Sequence, residues 1–379
     1  MKLELTADQQ AFQEEVRKFA QKELAPKAAY HDKTQEFPVE SLKKMAEMGL
    51  LGMSVPAEYD GAGVDSVTYA VVILEISKAD ASCGVIVAVQ NSLVALPLYK
   101  WGTEEQKQKF LKPLAAGLRI GAYCLTEPNV GSDPGDMETT AVMEGDHYIL
   151  NGTKTFITSA QKAETFVVFA ATDRKAGNKG ISCFVVDRET PGLSVGPKED
   201  MLGVRASGTA AVTFENCKIP VGNRLGQEGG GFRIAMEALD CGRIGIAAQA
   251  IGIAEAAFEA SLQYSRERKQ FGQPIGDFQM IQAMLVKMAT EIEASRLLLY
   301  LAAYKKDKGE RYSKESSMAK LFASKMAVEN TINAVQIFGG YGYTKDYPVE
   351  RHMRDSKVTE IYEGTSQIQN LVIAKAIAK

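Results

Sequence analysis

Hydrophobic positions recur at helical spacing from the start of the chain. Phe12, Val16, Phe19 and Ala20 share one face, behind Thr6 and Gln9, which together predict a capping box. VESLKKMAEMGL and TEEQKQKFLKPLAAG keep that period, with Pro56, Gly61 and Gly63 punctuating the loop between them. Residues 1–120 therefore read as an N-terminal helical domain. Near Gly121 the pattern shortens to β-branched runs, TFVVFAATD, GISCFVVDR and AAVTFENCKIP, divided by Gly, Asn and Lys turns. HYILNGTKTFIT sets Asn151-Gly152 between two such runs and predicts a hairpin there. Residues 121–228 are expected to form a small antiparallel β-barrel or sandwich. From 229 to 379 long helices return. One is the Ala- and Gly-rich RIGIAAQAIGIAEAAFEASLQYSRER. The next carries Met280, Met284, Met288 and Ile292 at i+4, a third runs from about Ser316 to Ile337, and a short one spans Thr365–Ala378. This order predicts a mainly α chain with a central β domain and a C-terminal four-helix bundle.

Composition narrows the function classes. A chain of 379 residues suits two or three domains, and 45% hydrophobic with 24% charged residues is ordinary for a globular protein. The net charge of −3 offers no basic excess for nucleic acid. No uninterrupted apolar run long enough for a membrane span is expected, and MKLELTADQQAFQEEV lacks the apolar core of a signal peptide. Five cysteines, an odd number without a CxxC pair, predict free thiols in a reducing compartment, here a cytoplasmic one. The three histidines match no zinc spacing, so no metal is expected. Neither GxGxxG after a strand nor GxxxxGK[ST] occurs, which leaves no support for a nicotinamide Rossmann site or a P-loop.

Chemistry concentrates in polar loops. AYCLTEPNVGSDPGD (122–136) offers hydroxyls and backbone amides that suit a heteroaromatic edge or a phosphate, although such a loop can equally be a turn-rich connection. SRERKQFGQPIGDFQ (265–279) presents Arg268, either a charged helix end or an arginine for a pyrophosphate. VQIFGGYGYTKDYPVERHMRD (335–355) has glycines that admit close backbone approach to a ligand. In VTEIYEGTSQIQ (358–369), Glu363 is either the solvated end of a helix or a base held against substrate.

Together LTEPNVGSD, NGTKTFIT, LDCGRIGIAAQA, RKQFGQPI, VQIFGGYGY and IYEGTSQIQ, in this order from Leu125 to Gln369, resemble the acyl-CoA dehydrogenases. The likeness is greatest to short-chain, butyryl-type members. It implies FAD held between the β domain and the C-terminal helices. Tyr123, Leu125 and Thr126 would line the flavin, Ser132 the pyrophosphate or CoA chain, and Phe156, Ile157 and Thr158 the other flavin edge. Many relatives have Trp where this chain has Phe156. Arg268, Gln270, Phe271, Gln279, Gln336, Gly339, Gly340, Thr365 and Gln367 would contact the nucleotide, several of them across a subunit boundary, which implies a homotetramer. Asp240, Arg243, Tyr362 and Gly364 would meet the acyl-CoA.

By the same resemblance Glu363 takes the α-proton, its backbone N–H and a flavin ribitol hydroxyl bond the thioester oxygen, and the β-hydride goes to flavin N5. Electrons then pass to an electron-transferring flavoprotein. Some relatives carry the base at the position of Gly242, which here is not acidic. Gln90, Asn91, Leu93, Val94 and Leu96 lie in the helix that would close the acyl end. No basic residue lies between Lys78 and Lys100, which disfavours a glutaryl substrate. The alternatives are a small cyclic or branched acyl group, an oxidase using oxygen directly, and a non-catalytic helical scaffold. Oxidases carry an extra C-terminal helical domain, and a scaffold would be expected to have lost the base or the flavin contacts.

Overall fold

The computed structural model describes residues 4–378. Helix α1 (Ala7–Phe19) begins with the expected capping box. Thr6 Oγ1 accepts from the Gln9 N–H at 3.3 Å, and Gln9 Oε1 accepts from the Thr6 N–H at 2.9 Å. A π-helical turn leads into α2 (Ala25–Thr34), followed by α3 (Val39–Glu47), α4 (Ser66–Ala79) and α5 (Ala81–Val89). After a second π-helical turn, Gln90–Ala95, come the short α6 (Leu96–Trp101), α7 (Glu104–Gln106) and α8 (Lys112–Ala115).

The apolar stretch Ala81–Trp101 is broken by Gln90, Asn91 and Ser92, in keeping with the expectation of no uninterrupted span. By length and mean hydropathy (1.7) it could cross a membrane, yet 94% of its most apolar window is buried inside the protein. Its polar members are bonded internally. Gln90 Nε2 donates to the Leu114 carbonyl at 2.9 Å, its Oε1 accepts from the Gly121 N–H at 2.8 Å, and Asn91 Oδ1 accepts from the Met53 N–H at 2.7 Å.

The middle region is an eight-stranded sheet: β1 (Gly121–Cys124), β2 (Thr140–Glu144), β3 (His147–Ile157), β4 (Thr165–Ala171), β5 (Ile181–Asp187), β6 (Leu193–Lys198), β7 (Ala210–Pro220) and β8 (Arg224–Leu225). The order is β6-β7-β3-β2-β4-β5-β8, mostly antiparallel, with β1 lying parallel to β4. Every residue of β4 is buried. Phe166 and Val168 join the sheet's own core, whereas Val167 and Phe169 face the helical side with Tyr123 and Leu125.

The predicted hairpin at Asn151-Gly152 does not form. The turn is at Gly145-Asp146, because Glu144 pairs with His147, and β3 runs straight through Asn151-Gly152 as a bulge on β7. A Cβ on Gly152 (φ 146°) would lie 2.5 Å from Thr139 Oγ1, and Asn151 Oδ1 accepts from the Asn216 N–H. The pair therefore answers a close crossing and a bulge rather than a turn.

Helices α9 (Gly231–Glu267), α10 (Gln279–Asp307), α11 (Ser313–Phe338), α12 (Val349–Lys357) and α13 (Ser366–Ile377) complete the chain. Helix α9 packs against α10, α11 and also α4, so the terminal bundle and the first helices share one core. Of the methionine stripe on α10, Met288 and Ile292 are buried and Met280 is exposed.

Candidate active site

Glu363 lies in the short turn between α12 and α13, and the turn is strained into place. Glu363 has φ 52° and Gly364 φ 94°, both left-handed. Two buried side chains hold their carbonyls. Lys320 of α11 donates to the Gly364 oxygen at 2.7 Å, and Gln369 Nε2 donates to the Glu363 and Gly364 oxygens at 3.2 and 2.8 Å. Among the described residues, nothing accepts the Glu363 N–H. The neighbouring Tyr362 hydroxyl donates to Gln249 Oε1, and Gln249 in turn donates to the Ala81 carbonyl at 2.9 Å.

The carboxylate of Glu363 rests on α9 at Gly242. A Cβ there would lie 2.0 Å from Glu363 Oε2 and 3.0 Å from Leu93 Cδ2. Both carboxylate oxygens are buried and neither has a hydrogen-bond partner. Burial pushes this carboxyl up to about 8, against the opposing pull of Lys320 and Arg243. A buried, unpaired, weakly acidic carboxyl at a cavity wall is what a general base requires.

That cavity has a volume of about 190 Å³ and joins three parts of the chain. Val85, Val89 and Leu93 form an apolar end. Tyr123 comes from β1, Leu125, Thr126 and Ser132 from the loop after it, and Phe156 and Ile157 from the end of β3 with Thr158 just beyond. Met236, Leu239 and Arg243 of α9, with Tyr362, Glu363 and Gly364, close it. All seven residues expected around the flavin ring and its adjoining phosphate thus line one cleft with Glu363. Phe156 is 61% exposed on a left-handed backbone (φ 55°), an aromatic face offered outward. Hydroxyls, peptide groups and apolar walls of this kind fit a flavin ring.

A buried ion pair ties the two flavin-side segments together. Lys154 Nζ meets Glu127 Oε1 at 2.7 Å and the Leu125 carbonyl at 3.1 Å, while Glu127 also accepts from the Glu138 and Thr139 N–H groups. Burial alone would raise Glu127, but the Lys154 charge and these hydrogen bonds hold it below its ordinary value. Lys154, Lys320 and Gln369 were not singled out in the sequence. A detectable signal existed for Lys320, which occupies the buried register of α11 shared by Ser316, Ala323 and Ala327.

Other expected residues lie elsewhere. Arg243 lines the cleft and is paired with Asp240, which points away to a neighbouring cavity and to Ser313. Of the residues in the helix expected to close the acyl end, Leu93 lines the cleft. Gln90 and Asn91 turn away to bond loops, Val94 packs in the core, and Leu96 lines the cavity beside Asp240. The single chain does not bring Arg268, Gln270, Phe271, Gln279, Gln336, Gly339, Gly340 or Gln367 to the cleft. All eight are exposed, Phe271 at 95%. Thr365 instead caps α13, accepting from the Ile368 N–H.

Three family models cover nearly the whole chain: the acyl-CoA dehydrogenase N-terminal domain over residues 6–118, the middle domain over 122–217 and the C-terminal domain over 229–378. The chain is 52% identical to the short-chain specific acyl-CoA dehydrogenase of Clostridium acetobutylicum, with 100% of each covered. Butyryl-CoA dehydrogenase from Megasphaera elsdenii superimposes with a TM-score of 0.98 at 43% identity, over 100% of both chains. A chain from structural work on the electron transferring flavoprotein of Acidaminococcus fermentans superimposes with a TM-score of 0.99 at 50% identity, again over 100% of both.

Proposed function

The chain belongs to the acyl-CoA dehydrogenase family of FAD-dependent oxidoreductases, and on that premise we propose that it oxidises a short-chain, butyryl-like acyl-CoA to the trans-2-enoyl-CoA with Glu363 as base. The observation that carries this reading is the unpaired, buried Glu363 carboxylate at the wall of a cleft whose far end is the apolar Val85, Val89 and Leu93. When bound, FAD supplies the acceptor for the β-hydride, and Tyr123, Leu125, Thr126, Phe156, Ile157 and Thr158 are the residues proposed to hold its ring.

Glu363 takes the α-proton on its carboxylate. Its backbone N–H, which no group among the described residues uses, bonds the thioester carbonyl oxygen and stabilises the charge that develops there. The carboxylate can approach only because Gly242 leaves room for it. Gly242→Ala is expected to displace the carboxylate and lower kcat by about 10²-fold, with KM changed far less. Steady-state kinetics on butyryl-CoA would check this, and a wild-type kcat would refute it.

Because the base must be ionised and burial holds it up to about 8, kcat/KM should rise with pH and level off above about pH 8. A profile flat from pH 6 to 9 would argue against Glu363 as the titrating base.

The names of the relatives support a short acyl chain, and the Acidaminococcus neighbour supports an electron-transferring flavoprotein as acceptor. A homotetramer is part of the proposal. Phe271, Met280, Val286 and Tyr343 expose apolar surface, and Arg268 and Gln336 are exposed as well, which suits nucleotide contacts offered across a boundary. Phe271→Asp should yield smaller species that retain less FAD, read by analytical ultracentrifugation and absorbance. A cytoplasmic location is also proposed, in keeping with five buried cysteines that are all free thiols.

The deciding experiment is an anaerobic visible spectrum before and after excess butyryl-CoA. Bleaching of the flavin band supports the reading. An unchanged flavin would overturn the butyryl assignment and direct attention to cyclic or branched acyl-CoAs. Hydrogen peroxide formed in air would point to an oxidase.

A further inference from the structure

Lys320 is fully buried in α11, and among the described residues its ammonium has no carboxylate partner. Its one hydrogen bond goes to the Gly364 carbonyl, in the turn that carries Glu363. A neutral amide already serves that carbonyl, since Gln369 Nε2 donates to the same oxygen at 2.8 Å. What the lysine adds beyond the amide is charge. A cation in a dry interior with no ion-pair partner is costly, so its position calls for an explanation.

Resting on the reading of Glu363 as base, we propose that Lys320 is a positioning residue that clamps the Glu363–Gly364 turn and sets a positive charge beside the base. Arg243 of α9 is the other cation facing Glu363, but it is already paired with Asp240. The remaining titratable groups around the two are Cys241 of α9, Tyr69 of α4, Tyr123 of β1, Tyr362 of the same turn and Glu360 before it. Cys241, Tyr69, Tyr123 and Tyr362 are held neutral by burial, so none cancels the ammonium. Glu360 reaches the solvent side and bonds Lys357.

Burial pushes the Lys320 ammonium down to about 7 and the Glu363 carboxyl up to about 8, and each charge opposes the other's displacement. Lys320 is the larger of the two cationic influences on Glu363. Removing the charge should therefore raise Glu363 further and leave less ionised base at neutral pH.

The test uses the holoenzyme with Lys320→Gln, Lys320→Arg and Lys320→Met beside Glu363→Gln. Lys320→Gln keeps a hydrogen-bond donor for Gly364 and removes the charge. Its acid limb in kcat/KM should move up by about one pH unit or more, with activity at pH 7 down about tenfold and recovering in alkali. Lys320→Arg should return the limb towards wild type. A second readout needs no turnover: pH-difference infrared spectra of the oxidised protein, in which the protonated carboxyl band absent from Glu363→Gln should titrate at higher pH in Lys320→Gln. If both limb and band stay at their wild-type pH while Glu363→Gln is inactive, the inference fails and the base stands. If Glu363→Gln still turns over, the base reading fails instead. Should Lys320→Gln not fold, Lys320→Met decides by the same two readouts.

Discussion

Glu363→Gln is expected to bind FAD and butyryl-CoA yet leave the flavin band unbleached on the timescale of wild-type turnover, a loss of about 10²–10⁴-fold. The amide keeps the size of the side chain and the backbone N–H of residue 363, so binding and polarisation of the thioester should survive while proton removal does not. The same variant should be more stable than wild type. A folded chain that holds Glu363 at about 8 keeps a proton that the unfolded chain, at 4.5, releases. The contribution of this group is therefore most favourable below pH 4.5 and is lost as pH rises through about 8. Glu363→Gln has no such loss, so its advantage in Tm should be greater at pH 9 than at pH 5. Equal midpoints at both pH values would show that the carboxyl is not buried as described.

The second large effect is expected at Lys154, which bonds the carbonyl of the cleft residue Leu125. Lys154→Met leaves Glu127 charged and buried beneath the flavin side of the cleft, which costs about 3–5 kcal/mol. It also releases the Leu125 carbonyl from the β3 strand. Chemical denaturation should show the lower midpoint, and the ratio of flavin to protein absorbance should show lost FAD. Lys154→Met combined with Glu127→Leu removes both charges, so much of the stability should return. FAD retention need not return, because the Glu138 and Thr139 N–H groups then lose their acceptor. A single variant that unfolds at the wild-type denaturant concentration would show that the pair does not hold these segments.

The helices and the α–β–α order were legible in the sequence because their periodicity is local, as at Thr6 and Gln9 or along α9. The cleft was legible where short motifs place its walls: Tyr123 to Ser132, Phe156 to Thr158 and Glu363. The hairpin reading failed because its signal was local. Asn151-Gly152 signals a turn when only its neighbours in sequence are considered, and the crossing of Thr139 that turns it into a bulge comes from another segment. Gln90 and Asn91 sit in the helix expected to close the acyl pocket, but their amides are claimed by Leu114, Gly121 and Met53. Lys154 was missed because a buried lysine has no local pattern of its own, and Lys320, although it lies on the buried register of α11, gains its meaning only from the Gly364 carbonyl. In each, the significance comes from a partner that only the tertiary fold supplies.

The apolar stretch Ala81–Trp101 has a consequence for how the chain must be made. Its packing partners include α9, which follows the whole β domain in sequence. At ordinary elongation rates the ribosome takes on the order of ten seconds to reach the end of α9. Throughout that interval the nascent chain displays a segment that a translocon could accept, with Gln90, Asn91 and Ser92 as its interruption. Chaperones that bind nascent chains should therefore engage this protein before its C-terminal half emerges, and substitutions making those three positions apolar should misdirect it to membranes while also leaving the Met53 and Gly121 N–H groups without their acceptors.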